Sequence, residues 1–288
     1  LGRPEADLRQ TDLLLGPVVL RPRDPSEYNF ESSTSFAPFI GQELEHEGIT
    51  GTVAWDISER WSFKSITAFR RLQTNSYIDI DASEYELGDV LVALDQDQRS
   101  QEFQFFYDNG SNFTATFGAY YLKEDVPSYQ EAYADDLFAL GGAPISFLRT
   151  IEDDLRTTST AAFVHTTWEF APTWTLASGV RWTRDQKDYD RSTSTFWGAP
   201  FGGLNGTVAF SASDSWTAVT PSVSLQKAFS DNLMGYVSAN RGFKSGGFNG
   251  RANSAAEAAD PAFDPEFVWT YEAGLKFNSA DNRFRGAA

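Results

Sequence analysis

Two histidines, several carboxylate clusters and one glycine-rich run are the places where this chain could hold reactive chemistry. His46 stands in Glu43-Leu-Glu-His-Glu47, and imidazole beside carboxylates is a metal-ligand chemistry; a solvated charge run at the end of a loop accounts better for the same residues. His165 shares its strand face with Thr167 and Glu169, which reads as a polar lining, with solute contact as the other reading. Asp79-Ile-Asp-Ala-Ser83 opens like a calcium loop. However, Glu84 stands where the tight turn needs glycine, and Val90 where the bidentate glutamate belongs, which excludes an EF-hand and leaves only a looser ion contact. The run Gly242 to Gly250 lacks the Gly-Lys-Ser/Thr ending of a phosphate loop, and its glycines suit a strand end that bends into a loop. With no cysteine there is no disulfide framework, thiolate metal site or cysteine nucleophile. No catalytic residue, metal site or cofactor is expected, and a nucleic-acid partner is not expected either.

The elements that must position these residues are strands. From Phe267 the residues alternate without a slip: Phe267, Trp269, Tyr271, Ala273, Leu275 and Phe277 on one face, Val268, Thr270, Glu272, Gly274 and Lys276 on the other. Such a strand is long for a soluble sheet and suits a tilted membrane-spanning strand of about 9 to 11 residues. The same alternation recurs in pairs joined by short turns. Glu47 to Ile57 turns at Ser58-Glu-Arg60 into Trp61 to Asn75, and Asp97 to Asp108 turns at Asn109-Gly110 into Ser111 to Glu124. Leu155 to Phe170 turns at Ala171-Pro172 into Thr173 to Lys187, Trp216 to Phe229 turns at Ser230-Asp-Asn232 into Leu233 to Lys244, and Phe267 to Asn278 turns into a last, incomplete strand. Between pairs lie Ser76 to Gln96, Asp125 to Asp154, Asp188 to Ser215 and Ser245 to Glu266, which read as long loops. Interleaved apolar and polar residues explain how a negative mean hydropathy coexists with 15% aromatic residues. The fold class expected is all-β: an antiparallel, up-and-down transmembrane β-barrel with short turns at one rim and long loops at the other.

Charge divides the chain the same way. The four long segments contain 20 Asp and Glu against 3 Lys and Arg, which is the whole net charge of −17. One rim should therefore be strongly negative, serving solvation and repulsion of other chains, divalent-ion bridging to lipopolysaccharide, or preference for a neutral or cationic solute. Trp61, Trp174, Trp182, Trp216 and Trp269 read as an interface girdle or lipid-facing belt. Residues 1–46 do not follow the pattern and read as an extracellular loop or barrel lead-in, and 47–288 as a partial barrel truncated at both ends, a piece of a longer chain.

Arg241-Gly-Phe-Lys-Ser-Gly-Gly-Phe-Asn249, then Asp264-Pro-Glu266 and Tyr271-Glu-Ala-Gly-Leu-Lys276, resembles the barrel of TonB-dependent outer-membrane receptors. Lys64-Ser-Ile-Thr-Ala-Phe-Arg70, Ser100-Gln-Glu-Phe103, Gly118-Ala-Tyr-Tyr121 and Gly179-Val-Arg-Trp182 look like successive strands of the same barrel. The resemblance assigns Gly242, Phe243, Gly246, Gly247, Phe248, Asn249, Glu266, Tyr271, Glu272, Gly274 and Lys276 to the family's structural motif. It implies a wall of about 22 strands around a plug domain, of which about ten are found here. It further implies a Gram-negative outer-membrane location and import of a scarce solute, most simply a ferric siderophore or similar iron chelate, with TonB energy. Expected partners are outer-membrane lipid and lipopolysaccharide, the receptor's own plug domain and the TonB complex through an N-terminal segment, these last two outside this sequence.

For solute contact the candidates are the loop aromatics Tyr129, Tyr133, Phe147, Phe196, Trp197 and Phe201, with Arg241 and Lys244 as lumen charges near the rim. Loop aromatics also pack on their own loops, and lumen charges such as Glu272 and Lys276 also pair with one another or with a plug. Two other classes compete. A passive porin would lack the Arg-Gly-Phe to Tyr-Glu-x-Gly-x-Lys series, and an outer-membrane lipase needs a Ser–His pair that neither histidine offers. A soluble, secreted glycan-binding β-sandwich would not fill one face of most strands with bulky apolar residues.

Overall fold

The computed structural model describes residues 34–35, 41–80, 85, 87–135, 145–250, 262–279, 281 and 283–288. These form a 10-stranded antiparallel sheet in which nearly every strand pairs with its neighbours in sequence. In order the strands are β1 (Glu43–Asp56), β2 (Trp61–Asp79), β3 (Asp89–Asp108), β4 (Phe113–Tyr133), β5 (Phe147–Ala171), β6 (Trp174–Trp197), β7 (Gly206–Ser230), β8 (Leu233–Lys244), β9 (Gly247–Phe248), β10 (Ala262–Phe263), β11 (Glu266–Asn278) and β12 (Arg285–Ala287). The small β9–β10 pair stands apart, within the connection from β8 to β11. β1 and β12 are the edges, and every residue of β1 is exposed.

Register assigns each residue to a face, since residues directly opposite in a ladder share one. One face carries Trp55, Trp61, Phe69, Phe105, Phe117, Trp168, Val180, Trp182, Val223, Val237, Trp269 and Leu275, all large, apolar and exposed. On β2, β4 and β6 this apolar band runs from Trp61 to Phe69, Phe113 to Tyr121 and Trp174 to Trp182, nine residues each, and on β11 from Phe267 to Phe277, eleven residues. That is the length at which a tilted strand crosses the hydrocarbon of a bilayer. The opposite face carries Lys64, Glu102, His165, Arg181, Glu272 and Lys276, and it is where Ala68, Ala161, Ser159, Thr183, Tyr189, Arg191, Thr193, Trp216 and Ala218 are buried. Burial on the polar side marks it as the sheltered, lumen side of a curved wall.

Glycines there give way to rings. Tyr236 of β8 lies across Gly274 of β11, where a Cβ would come within 2.7 Å of its ring, and its hydroxyl donates to Glu272. The motif's Gly274 and Glu272 thus seat one tyrosine.

Three of the four expected long loops turn out to be mostly strand, and Ser245 to Glu266 carries only the short β9 and β10 before β11 opens, with 251–261 outside the described residues. β5, β6 and β7 run for 25, 24 and 25 residues, so their hydrogen-bonded ladders continue far beyond the nine residues the membrane needs. Of Asp188 to Ser215, only residues 198–205 form the connection, with a short 3-10 helix at Gly202–Leu204. β1 opens at Glu43, so the end of the expected lead-in is already paired, Glu43 opposite Asn75; most of 1–46 lies outside the described residues. So do Asp81, Glu84, Glu86 and Asp136 of the acidic rim, and with them the calcium-loop question; no group of three or more potential metal ligands occurs among the described residues.

The opposite rim has short turns, as the spacing requires. The Asn109-Gly110 signal becomes a four-residue turn in which Gly110 has φ 75° and the Asn109 side chain accepts from the backbone N–H of Ser111 and Phe113. Between β5 and β6 the turn is Pro172-Thr173, with Thr173 at φ 72°. Proline followed by a positive φ is the order of a type II turn, whose second central position favours glycine or asparagine.

Candidate functional site

Beyond the membrane band, alternate residues of β6 put Lys187, Tyr189 and Arg191 on the lumen face. Arg191 faces Asp153 across β5, and its Nη1 donates to both carboxylate oxygens at 2.8 and 2.9 Å. The Tyr189 hydroxyl donates to the same carboxylate at 2.6 Å. The Arg191 side chain is only 3% exposed, so the pair is desolvated and each partner depends on the other. Burial, then the hydrogen bond to Asp153, pushes the Tyr189 phenol up to about 12, with Arg191 acting in the opposite direction. Arg191 Nε and Thr193 Oγ1 are buried and have no hydrogen-bond partner among the described residues.

The glycine-rich run closes over this patch. After β8 the chain turns inward, and Phe248 stacks on Tyr189 with centroids 5.7 Å apart and planes 5° from parallel. Phe210 meets Tyr189 edge-on at 5.7 Å, and Trp216 packs against Phe248 at 5.9 Å. Lys187 Nζ donates to the Gly246 carbonyl at 2.7 Å and lies 5.7 Å from the Trp216 ring centroid. Burial lowers the Lys187 pKa first, with Asp185 and Glu124 opposing. A Cβ on Gly246 would overlap both the Phe263 carbonyl and the Trp216 indole, and one on Gly247 would come within 2.7 Å of the Phe263 ring. Close backbone approach is therefore why these positions are glycine. The motif is an inward latch, pinned by β9–β10 pairing (Phe248 opposite Ala262) and by the aromatic stack.

The residues expected to meet solute divide between the faces. Phe147 and Trp197 face each other at the far end of β5 and β6 on the lumen side, their rings 4.7 Å apart. Lys244 also faces inward and pairs with Glu266 at 3.7 Å. Tyr129, Tyr133 and Phe196 sit on strands rather than loops and face outward, Tyr129 donating to Glu131. Phe201 lies in the β6–β7 connection, exposed, at the N-terminal end of the 3-10 helix. Arg241, expected in the lumen with Lys244, faces the membrane side instead, its guanidinium 4.1 Å from the Phe267 ring centroid. It stands three positions before Lys244, an odd offset, so the two cannot share a face of one strand. Trp216 is the converse correction: expected in the lipid belt, it is buried in the lumen cluster because it is out of phase with Val219, Val223 and Leu225. Sequence reasoning missed the Asp153–Tyr189–Arg191 group and Lys187. Their signal was the alternation of large polar residues at 187, 189 and 191.

A membrane-crossing antiparallel wall, with a charged and aromatic inner patch covered by an inward latch, defines an outer-membrane barrel of the solute-receptor type. The chain matches the TonB dependent receptor-like beta-barrel family over residues 7–288 and belongs to that family. Members are outer-membrane proteins of Gram-negative bacteria, which is where this wall resides. Among solved structures, the chain is similar to the ferric yersiniabactin uptake receptor FyuA from Yersinia pestis, with a TM-score of 0.67 and 15% identity, covering 83% of this chain and 34% of that one. It is also similar to the siderophore receptor PiuA from Acinetobacter baumannii, at a TM-score of 0.60 and 15% identity over 85% of this chain and 39% of that one. A third is the unliganded ferric citrate transporter FecA, at 0.53 and 11% over 83% of this chain and 33% of that one. The chain thus spans between a third and two fifths of those structures' length, and the likeness is one of fold.

Proposed function

We propose that this chain is part of the wall of an active outer-membrane importer of a ferric siderophore or similar iron chelate, driven by the TonB system. The observation that carries this reading is the lumen patch: Lys187, Arg191 and Lys244 beside Tyr189, Phe248 and Trp216. Cations and stacked rings suit an anionic chelate with aromatic or apolar parts. The similar solved structures are those of a ferric yersiniabactin uptake receptor, a siderophore receptor and a ferric citrate transporter, which favours the same class of cargo. In this reading the edges β1 and β12 pair with further wall strands, because hydrocarbon does not tolerate open edges. The lumen-facing charges Lys64, Glu102 and Lys276 would then meet a plug domain. Phe147 and Trp197 form the first aromatic contact at the outer end, and the latch forms the second.

The test is uptake of radiolabelled iron from a panel of chelates by cells carrying or lacking the full-length receptor gene. Expected is loss of one chelate's uptake on deletion, recovery with the intact gene, and no recovery when the inner membrane is de-energised. Undiminished chelate uptake in the deletion strain, with slower entry of small neutral solutes, would instead identify a passive pore.

A further inference from the structure

The two faces of the wall exchange character where the strands leave the apolar band. Within the band, large apolar side chains face lipid and polar ones face the lumen. Beyond it, β3 turns Asp97 and Asp95 outward and Leu94, Val92 and Val90 inward. On β4, Asp125 and Glu131 face outward and Val126 inward; on β5, Glu152 and Asp154 face outward and Ile151 and Leu155 inward. Among the large aliphatic residues of these three extensions only Leu91 and Leu148 face outward. Hydrocarbon does not reach this height, so the membrane does not account for the inversion. An antiparallel sheet with one polar and one apolar face packs the apolar face on something, and here that face meets the lumen.

The inward aliphatic surface, half-buried throughout, runs directly into the charged and aromatic patch. Val126 stands opposite Leu155, Leu155 opposite Tyr189, and Ile151 opposite Thr193. On β5 the two aliphatic residues therefore flank Asp153, the partner of Arg191. Leu94 lies three strands from Arg191, about 14 Å at the usual strand spacing. A solute lying across this wall meets cations and rings over β6 to β8 and hydrocarbon over β3 to β5.

We propose that the imported chelate is an amphiphile: its iron-binding head sits at the charged and aromatic patch, and its acyl chain lies along Val90, Val92, Leu94, Val126, Ile151 and Leu155. The inference rests on the chelate-import reading and adds to it the chemical class of the cargo. A chelate without a chain leaves the aliphatic surface in water, whereas an alkyl chain laid on it removes apolar area of both partners from water.

The experiment uses the full-length receptor in lipid nanodiscs. It is titrated with ferric complexes of a citrate-type, a hydroxamate and a catecholate chelator, each with and without a dodecanoyl chain, and empty nanodiscs correct for partition of the chain into lipid. For the head group that binds, the chain should tighten binding roughly ten-fold or more, as burial of about two methylene groups would. The Val92→Asn/Leu94→Asn double variant should abolish that gain, and Ala93→Asn, on the outward face of the same strand, should keep it. Heat-modifiable gel mobility checks that each barrel is folded; Leu94→Ala should weaken the gain and stands in if the double variant does not fold. Leu94→Cys, in a chain with no cysteine of its own, should react with a water-soluble maleimide in the free receptor and be protected by the acylated chelate only. Equal binding of plain and acylated forms overturns the proposal and leaves chelate import standing, while failure of every chelate to bind overturns both. An undiminished gain in the double variant assigns the chain to the bilayer, and a Leu94→Cys thiol that is unreactive without chelate assigns the surface to the receptor's own chain; either result overturns the proposal.

Discussion

Gly246 is the residue on which the latch depends most directly. A methyl group there meets backbone as well as ring, since one of the atoms in its way is the Phe263 carbonyl oxygen. Gly246→Ala should therefore detach the latch at a cost of about 1–3 kcal/mol, visible as a change in Trp216 fluorescence and faster proteolysis between residues 245 and 265. Tyr189 offers a second test. Burial first, then the hydrogen bond to Asp153, pushes its pKa up to about 12 in the fold from the ordinary 10.0, so the stabilisation from keeping the phenol neutral is full below pH about 10 and fades as pH rises toward 12. Ultraviolet titration of the intact receptor should show this phenol ionising after exposed tyrosines, and Asp153→Asn should bring it forward. That substitution also strands Arg191, so about 3–5 kcal/mol of stability should go with it, measured by urea unfolding in micelles.

At the scale of elements, the strands carry two separate demands. Within the band, one face must suit lipid and the other water, and the alternation is strict. Val180→Arg, outward and mid-band on β6, should destabilise by about 2–4 kcal/mol, whereas Ser222→Arg on the lumen face of β7 should cost much less; refolding into bilayers distinguishes them. Thr173 bears a β-branched side chain at φ 72°, so Thr173→Gly should stabilise the β5–β6 hairpin by about 1 kcal/mol, read as a higher urea midpoint with unchanged m. The same physics sets how much could be read from sequence. Strand centres and short turns were legible because hydrocarbon enforces alternation there. Beyond the band both faces meet water, and Ser192-Thr-Ser-Thr195 of β6 carries no period at all, so ladders were mistaken for loops. Arg241 and Trp216 were legible in principle. Their parity relative to Phe243 and Val219 puts each on the face where it is found, whereas residue type alone points to the other face.

For the whole molecule, the acidic surplus and the long ladders belong together. Of the acids in the segments that hold the net −17, Asp79, Asp89, Asp95, Asp125, Glu131, Glu152, Asp153, Asp154, Asp188, Asp190 and Asp214 stand on the outer extensions of β2 to β7, so this part of the charge sits on a stiff collar. The candidate site was less legible than the fold, because it is made by residues far apart in sequence. Asp153, Tyr189, Phe210 and Phe248 meet only through sheet register and the inward turn of the latch. A ladder that rises so far above the membrane also separates two kinds of selection. Along the end of β6, Thr193, Thr195 and Trp197 face the lumen, while Ser192, Ser194 and Phe196 face the surroundings. Under the proposed import function, external binders such as antibodies and phages select only at every second position while the intervening positions answer to the lumen, so escape mutations along this collar should recur with a spacing of two residues.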